Sequence, residues 1–574
     1  MNVPRLAARA QRYTLPVSSP AVESARALFS AGQPGPARDA LRRLLASRPR
    51  DLEAASLLAE VLDYLQDYEG AVVFASRVAA ALPHDAHARI VRARVLSGLG
   101  QDRESDAEFA AAEAIAPKAA PVLRARPDAL IRAGRTDEAL GFLRSALEIN
   151  PGNFGLLQSL CFSLNMVGEA TPGEERKLHE RLASALIAAD PPPPARPFPN
   201  LPDPDRPLRI AFLSSDFRRH SCAYFLEPLI ESLDRGKVSV CLYSAAADLD
   251  ELTERFRPLG TWRDCARMTP ADLESLARAD GIDILIECGG WTAYPLLRAV
   301  ARRLAPVQIA YLGYANTTGL STVDWRVVDD TTDPPHAGGW CTERLLRIPG
   351  CFLCFKPDPE SPQPRETRFQ RGEGCVVFGS FNNGLKISPH VVQLWSEHLR
   401  RVPESRLMLK GPGLDGRRAD RLVQRFARHG IRPSRLDIRR FAPGAAAHLA
   451  AYGEVDIALD TFPYNGTTTT CEALHMGVPV VTLGGDRHRS RVGASILNAL
   501  GLSEFVAGDE ARMIGVAATL AADPGRLREY RGALRGRLAG SGLCDGPGFA
   551  RKFEAAVRFA WRDWCCRGPA PAPG

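Results

Sequence analysis

Pro49, Pro83, Pro117 and Pro151 stand 34 residues apart in a chain of 574. A fixed period of that length confines the stretch to stacked helical hairpins of the tetratricopeptide type. Seventeen residues before these prolines stand Gly32, Gly100 and Gly134, with Gln66 breaking the series. Twelve before them stand Ala37, Ala71 and Ala139, with Ser105 as the small substitute. The glycine lets the turn between paired helices close, the small residue lets the helices approach, and the proline ends the second helix of each pair. Apolar residues between them, such as Leu41, Leu44 and Leu45 or Leu140, Phe142, Leu143 and Leu147, recur at helical spacing and read as core. One hairpin cannot bury its apolar face alone, so four or five stack into an α-solenoid over residues 18–168. Its concave surface reads as a docking face for protein or peptide, or as a packing platform for the rest of the chain.

The pattern changes after residues 169–207, a helix followed by a stiff connector with four consecutive prolines from Pro191 to Pro194. Short apolar runs then alternate with helix-length segments: Leu208 to Leu213, Val238 to Tyr243, Ile282 to Ile286, Val307 to Leu312 and Trp325 to Val328. A second series runs through Cys375 to Phe378, Arg406 to Leu409, Leu436 to Phe441, Asp456 to Leu459 and Val478 to Leu483. Each series predicts a doubly wound α/β domain, one over 208–365 and one over 374–562. The fold class expected is therefore α followed by α/β.

Composition narrows the function. Hydrophobic residues make up 45% and charged residues 24%, ordinary values for a soluble globular protein. No apolar stretch approaches the roughly 20 residues of a membrane-spanning helix, and Met1 to Pro20 has no apolar secretory core, so no membrane insertion and a cytoplasmic location are expected. The net charge of +7 comes from 73 basic and 66 acidic residues without a like-charge run, which speaks against nucleic acid as a partner. Thirteen scattered cysteines form no disulfide framework. Cys351 and Cys354 form a lone C-x-x-C that reads as buried thiols rather than zinc ligands, and no metal is expected.

In open α/β sheets ligands bind beyond the carboxyl ends of the strands. The loops there are polar: SSDFRRHS (Ser214 to Ser221), ECGGWT (Glu287 to Thr292), GYANTTG (Gly313 to Gly319) and GSFNNGLKISP (Gly379 to Pro389). Most informative is LDTFPYNGTTTTCEALHMGVPVVT, from Leu459 to Thr482. Turn residues Pro463 to Gly466 lead into Thr467, Thr468, Thr469 and Thr470, where a helix would begin. Unpaired backbone N–H groups and hydroxyls at a helix start favour a diphosphate; equally, the threonines could merely cap the helix.

Taken in order after tetratricopeptide repeats, these motifs resemble the protein O-glycosyltransferases of the O-GlcNAc transferase and SPINDLY family. The resemblance implies a GT-B fold of two facing Rossmann-like domains. It also implies an inverting transfer, without a metal ion or other cofactor, from a nucleotide sugar to Ser/Thr hydroxyls of acceptor proteins recruited by the repeats. His220 matches the family's active-site histidine, whose ordinary pKa near 6.5 suits proton acceptance. Lys386 matches the lysine on the leaving phosphate. The chain has only seven lysines among its 73 basic residues, and a compact ammonium fits that task. Asn383 matches a polar position of the same site, and Gly466 with Thr467 to Thr470 completes the phosphate cradle. His448, twelve residues before Asp460, matches a histidine that stacks on the nucleobase, and Glu472 matches the acidic position on the ribose. Asp460 falls in the site or holds its loop by local hydrogen bonds.

Departures concern the donor. Thr467 stands where animal O-GlcNAc transferases have His, Glu472 where they have Asp, and Ala445 where they have a lysine that helps hold uridine. These shifts lean toward SPINDLY, so the donor is UDP-GlcNAc or GDP-fucose, although Trp291 stands where SPINDLY proteins have His. The arginine-rich composition and short repeat array suggest a bacterial protein, where relatives glycosylate flagellins with other sugars. Two further alternatives are a GT-B enzyme acting on a small molecule or glycan, and a repeat scaffold whose catalytic half is inactive.

Overall fold

The computed structural model describes residues 19–30, 33–117, 120–194, 196–414, 416–440 and 444–567. Gly32, Phe441 and most of the segment Met1 to Pro20 lie outside the described residues. The described residues up to Ser163, with Gly416–Arg421, form one compact body, and the remainder from Leu164 onward form a second.

The chain begins with helices at a repeating interval: α1 (Pro20–Ser30), α2 (Pro34–Ser47), α3 (Leu52–Tyr64), α4 (Tyr68–Ala81), α5 (Ala86–Gly98), α6 (Asp102–Ile115), α7 (Ala120–Arg132), α8 (Thr136–Ile149), α9 (Phe154–Val167) and α10 (Pro172–Ala189). From α2 to α8, every even-numbered helix starts and ends 34 residues after the one before it. The punctuation works as chemistry dictates. Gly100 and Gly134 close their turns at φ 77° and 74°, a left-handed backbone that glycine adopts at least cost. Gln66 takes the same turn at φ 63°, so the geometry of the repeat persists where its preferred residue is lost. Ala37, Ala71 and Ala139 are fully buried, and Ser105 substitutes because its hydroxyl donates to the Ala93 carbonyl at 2.8 Å.

The second body contains two parallel sheets. The first consists of β1 (Leu208–Ser214), β2 (Val238–Ser244), β3 (Thr261–Asp264), β4 (Ile284–Glu287), β5 (Val307–Ala310), β6 (Trp325–Val328) and β7 (Arg344–Arg347), in the order β3-β2-β1-β4-β5-β6-β7. The second consists of β8 (Val377–Ser380), β9 (Arg406–Lys410), β10 (Leu436–Arg439), β11 (Ile457–Leu459), β12 (Val480–Leu483) and β13 (Val506–Ala507), in the order β10-β9-β8-β11-β12-β13. Both are Rossmann-like. Strand order reverses at β1/β4 and at β8/β11, the two places where such sheets open a ligand crevice. Buried strand residues such as Ile210, Phe212, Phe378 and Leu409 belong to a single apolar core that spans both sheets. The last helix, Gly546–Arg567, returns to the first sheet: the Phe553 and Phe212 rings stack with centroids 6.3 Å apart, and the Trp561 indole donates to the Asp203 carbonyl at 2.9 Å.

Candidate functional site

The site assembles at the carboxyl ends of the two sheets. After β1 the chain turns sharply, because the Asp216 N–H donates to the Ser214 hydroxyl at 3.0 Å and the Phe217 carbonyl accepts from Thr253 at 2.8 Å. This turn presents His220 half-exposed, with Nδ1 3.4 Å from Asp216 Oδ2 and accepting the Cys222 N–H at 3.2 Å. Burial lowers the imidazole pKa and Asp216 opposes the shift.

After β4, Glu287 accepts the N–H groups of Gly289 and Gly290, both at 2.7 Å, and burial pushes its carboxyl up to about 7. Trp291 is buried and donates to the Thr318 carbonyl at 3.0 Å, so it ties two loops together rather than facing solvent. The polar GYANTTG loop is likewise structural in large part. The Tyr314 hydroxyl accepts from Asn165 at 2.8 Å and lies 2.8 Å from His179, while Asn316 donates to Glu175 at 2.8 Å. Thr317 and Thr318 both bond Glu343.

On the second sheet, the loop after β8 carries a short turn, Gly384–Lys386, whose start the Asn383 side chain caps by accepting from the Leu385 N–H at 3.0 Å. Lys386 Nζ donates to the Asn465 carbonyl at 2.8 Å and lies 4.2 Å from the centre of the Tyr464 ring. Burial lowers its pKa to about 8 against the attraction of Asp460.

The loop after β11 supplies the other wall. Asp460 is buried, and its two oxygens accept from the Thr461 and Gly466 N–H groups at 2.9 and 2.7 Å and from the Thr482 hydroxyl at 2.7 Å. It therefore lies beneath the turn and holds it; burial pushes its carboxyl up to about 6. Gly466 is required sterically, since a Cβ there would come within 2.5 Å of the Thr469 hydroxyl and 2.9 Å of that of Thr470. The helix Thr468–His475 begins beside Lys386. Thr467 and Thr469 are partly exposed at its start, with Thr469 donating to Asn382 at 3.2 Å; Thr468 and Thr470 are buried. Thr470 donates to the Gly466 carbonyl at 3.1 Å.

His448 lies between Lys410 and Glu472. The ammonium stands 3.1 Å from Nδ1 and donates to the His448 carbonyl at 3.2 Å, while Nε2 is 3.2 Å from the Glu472 carboxylate. An ammonium has only donors, so Nδ1 accepts and Nε2 carries the proton toward Glu472. Tyr452 joins this group to the threonine helix by donating to the Thr469 carbonyl at 3.2 Å.

The two walls face each other closely enough to interact. Tyr224, on the helix that follows the His220 turn, feels the charge of Glu472. His488 and Asp333 clamp the sheets together through a hydrogen bond of 2.5 Å between Nδ1 and the carboxylate. Asn465, Lys410, Asn382 and Tyr464 lie at the site without having been singled out from sequence. Asn382, Tyr464 and Asn465 sit inside motifs already marked as strand-end loops, which was the signal available for them; Lys410 ends β9, whose following loop carried no mark.

A family model described as glycosyl transferase family 41 matches residues 193–356 and 364–552. Among curated relatives, the probable UDP-N-acetylglucosamine–peptide N-acetylglucosaminyltransferase SPINDLY of Arabidopsis thaliana is 38% identical over 438 residues, covering 74% of this chain and 47% of its own. The enzyme named SEC from the same plant is 27% identical and covers 62% and 37%. The chain thus spans about half the length or less of the curated relatives it matches. A solved structure of a Thermobaculum terrenum O-GlcNAc transferase mutant superposes with a TM-score of 0.77 at 33% identity, covering 90% of this chain and 98% of that one.

Proposed function

Because the chain belongs to glycosyl transferase family 41, we propose that it transfers a sugar from a nucleoside diphosphate donor, UDP-GlcNAc or GDP-fucose, to Ser or Thr hydroxyls of proteins that the helical repeats recruit. One observation carries this: the Lys386 ammonium stands beside a threonine-lined helix start, held by the Asn465 carbonyl at 2.8 Å. As the glycosidic bond breaks, negative charge collects on the departing diphosphate. A preorganised ammonium, two partly exposed hydroxyls and the first N–H groups of a helix stabilise that charge without a metal ion.

The acceptor hydroxyl must lose a proton as it attacks, and a single displacement inverts the sugar. His220 is the candidate base. Proton acceptance at Nε2 requires the proton of the neutral ring to sit on Nδ1, a form that Asp216 at 3.4 Å favours and the Cys222 N–H at 3.2 Å disfavours. Asp216 is thus a positioning residue. Phe381 and Tyr452 are buried and pack edge-on against His448, whose imidazole is the flat group left for a nucleobase, and Glu472 can accept from ribose hydroxyls.

The testing experiment is a thermal-shift panel with UDP-, GDP- and CMP-sugars, followed by intact-mass analysis of a protein acceptor. A binding sugar nucleotide raises the melting temperature and adds one sugar mass per modified hydroxyl. If no nucleotide sugar shifts the melting transition, the proposal fails.

A further inference from the structure

We infer that Asp216, His220 and Cys222 form a binding site for a soft divalent cation of the zinc class, and that its occupancy switches off sugar transfer. One carboxylate oxygen, one imidazole nitrogen and one thiol sulfur from these residues all lie within 4.8 Å of one another. The separation of Asp216 Oδ2 and His220 Nδ1 is 3.4 Å. Nδ1 accepts the Cys222 N–H at 3.2 Å, so the two atoms face each other as acceptors, with no hydrogen bond drawing them together. A tetrahedral zinc ion with bonds of about 2.0–2.1 Å to oxygen and nitrogen instead holds them about 3.3 Å apart.

The surroundings are those of a metal ligand set. The Ser215 hydroxyl donates to Asp216 Oδ1 at 3.2 Å, which leaves Oδ2 turned toward the histidine, as an outer partner does for a ligating carboxylate. Asp216 and Cys222 are buried and His220 keeps about two-fifths of its side chain exposed, so an ion can enter from the cleft. Mixed oxygen, nitrogen and sulfur donors select zinc-like ions over magnesium or calcium, which take oxygen alone. Burial and the neighbouring Asp216 and Glu287 keep the free Cys222 thiol protonated, so binding must release that proton to solvent; the carboxylate and the thiolate so formed neutralise the ion's two charges.

Inhibition follows from which nitrogen is engaged. An ion on Nδ1 keeps the ring proton on Nε2, so His220 can no longer accept one from the acceptor hydroxyl. This half of the inference rests on the glycosyltransferase function proposed above; cation binding does not.

The test uses the full chain stripped of metal, titrated with Co²⁺ and read by thiolate-to-cobalt charge-transfer absorption and the visible bands of a tetrahedral ion. Cys222→Ser and the apolar Cys222→Val serve as paired variants, so the other twelve cysteines cancel in the difference. The expected result is a band in the wild type that Zn²⁺ displaces and both variants lack. Zn²⁺ should also lower wild-type transfer at least about tenfold, reversibly with a chelator, while the variants keep their metal-free rate and ignore zinc. Identical cobalt spectra in wild type and variants overturn the site. A cysteine-dependent band with zinc-insensitive transfer overturns the switch. Absence of transfer by the metal-free wild type overturns the glycosyltransferase function and leaves the cobalt result standing.

Discussion

The ammonium of Lys386 donates to the carbonyl oxygen of Asn465 at 2.8 Å, so a cation on one loop is fixed by the backbone of the turn that precedes the threonine helix. The ammonium and the turn before the helix start are thereby held together. Lys386→Ala should cut turnover by about 10²–10³-fold, the usual effect of losing one preorganised charge on a leaving group. Lys386→Arg should not restore it, because the larger forked guanidinium does not fit the buried position from which the compact ammonium donates to the Asn465 carbonyl. Steady-state kinetics on variants with unchanged melting temperatures checks both.

Burial holds the Lys386 pKa near 8, and that value gives donor binding a pH dependence. Only the charged form attracts a diphosphate, and a bound diphosphate raises the pKa. Affinity should be flat below about pH 8 and fall about tenfold per unit above it, as one proton must be taken up on binding. Titrations of UDP and GDP across that range should show the slope in the wild type and none in Lys386→Met.

Gly466→Ala should weaken nucleotide binding while the fold survives. The added methyl would lie 2.5 Å from the Thr469 hydroxyl and 2.9 Å from that of Thr470, so these hydroxyls at the helix start must move from their present positions. Calorimetric affinity for the nucleoside diphosphate, set beside the circular dichroism spectrum, separates the two effects.

Glu175 and Arg489 form a doubly hydrogen-bonded ion pair at 2.7 and 2.8 Å, with both residues at least 97% buried. Removing the carboxylate in Glu175→Ala strands a buried guanidinium and should cost about 3–5 kcal/mol. Lower stability of the body that contains both sheets, read by chemical denaturation, is the expected outcome. Burial alone would raise the Glu175 pKa, but the bonds from Arg489 hold it below its ordinary value. The stabilising contribution is therefore lost as pH falls through that lowered value, not as pH rises.

Deleting residues 1–163 should leave donor binding intact and abolish transfer to the protein acceptor, if the repeats recruit it. The cut belongs there because α10 carries Glu175, which the second body needs for Arg489 and Asn316. Unchanged transfer to the natural acceptor would rule out recruitment by the repeats.

Much of the fold was legible because burial imposes apolar runs. All ten strands expected from sequence are present, with ends displaced by up to two residues, except that Phe441 lies outside the described residues. The three strands not foreseen, β3, β7 and β13, all lie at sheet edges. β3 reads TWRD, is partly exposed and shows no apolar run, and β13 has two residues. Edge strands are covered on fewer sides, so composition constrains them less. The strand-end loops were visible as polar tracts, but their division of labour was not. Thr317, Thr318 and Asn316 look as ligand-ready as Thr467 and Thr469, yet they bond Glu343 and Glu175, partners set by tertiary contact alone. Lys410 was invisible for the same reason: only the fold brings it against His448.

The most direct test of the diphosphate site compares nucleoside and nucleoside diphosphate binding by isothermal titration calorimetry in the wild type and Lys386→Met. The expected result is a loss of at least about 100-fold in affinity for UDP or GDP, with the much weaker binding of uridine or guanosine unchanged. Equal diphosphate affinity in the two proteins would contradict a site in which Lys386 and the threonine helix hold the leaving group.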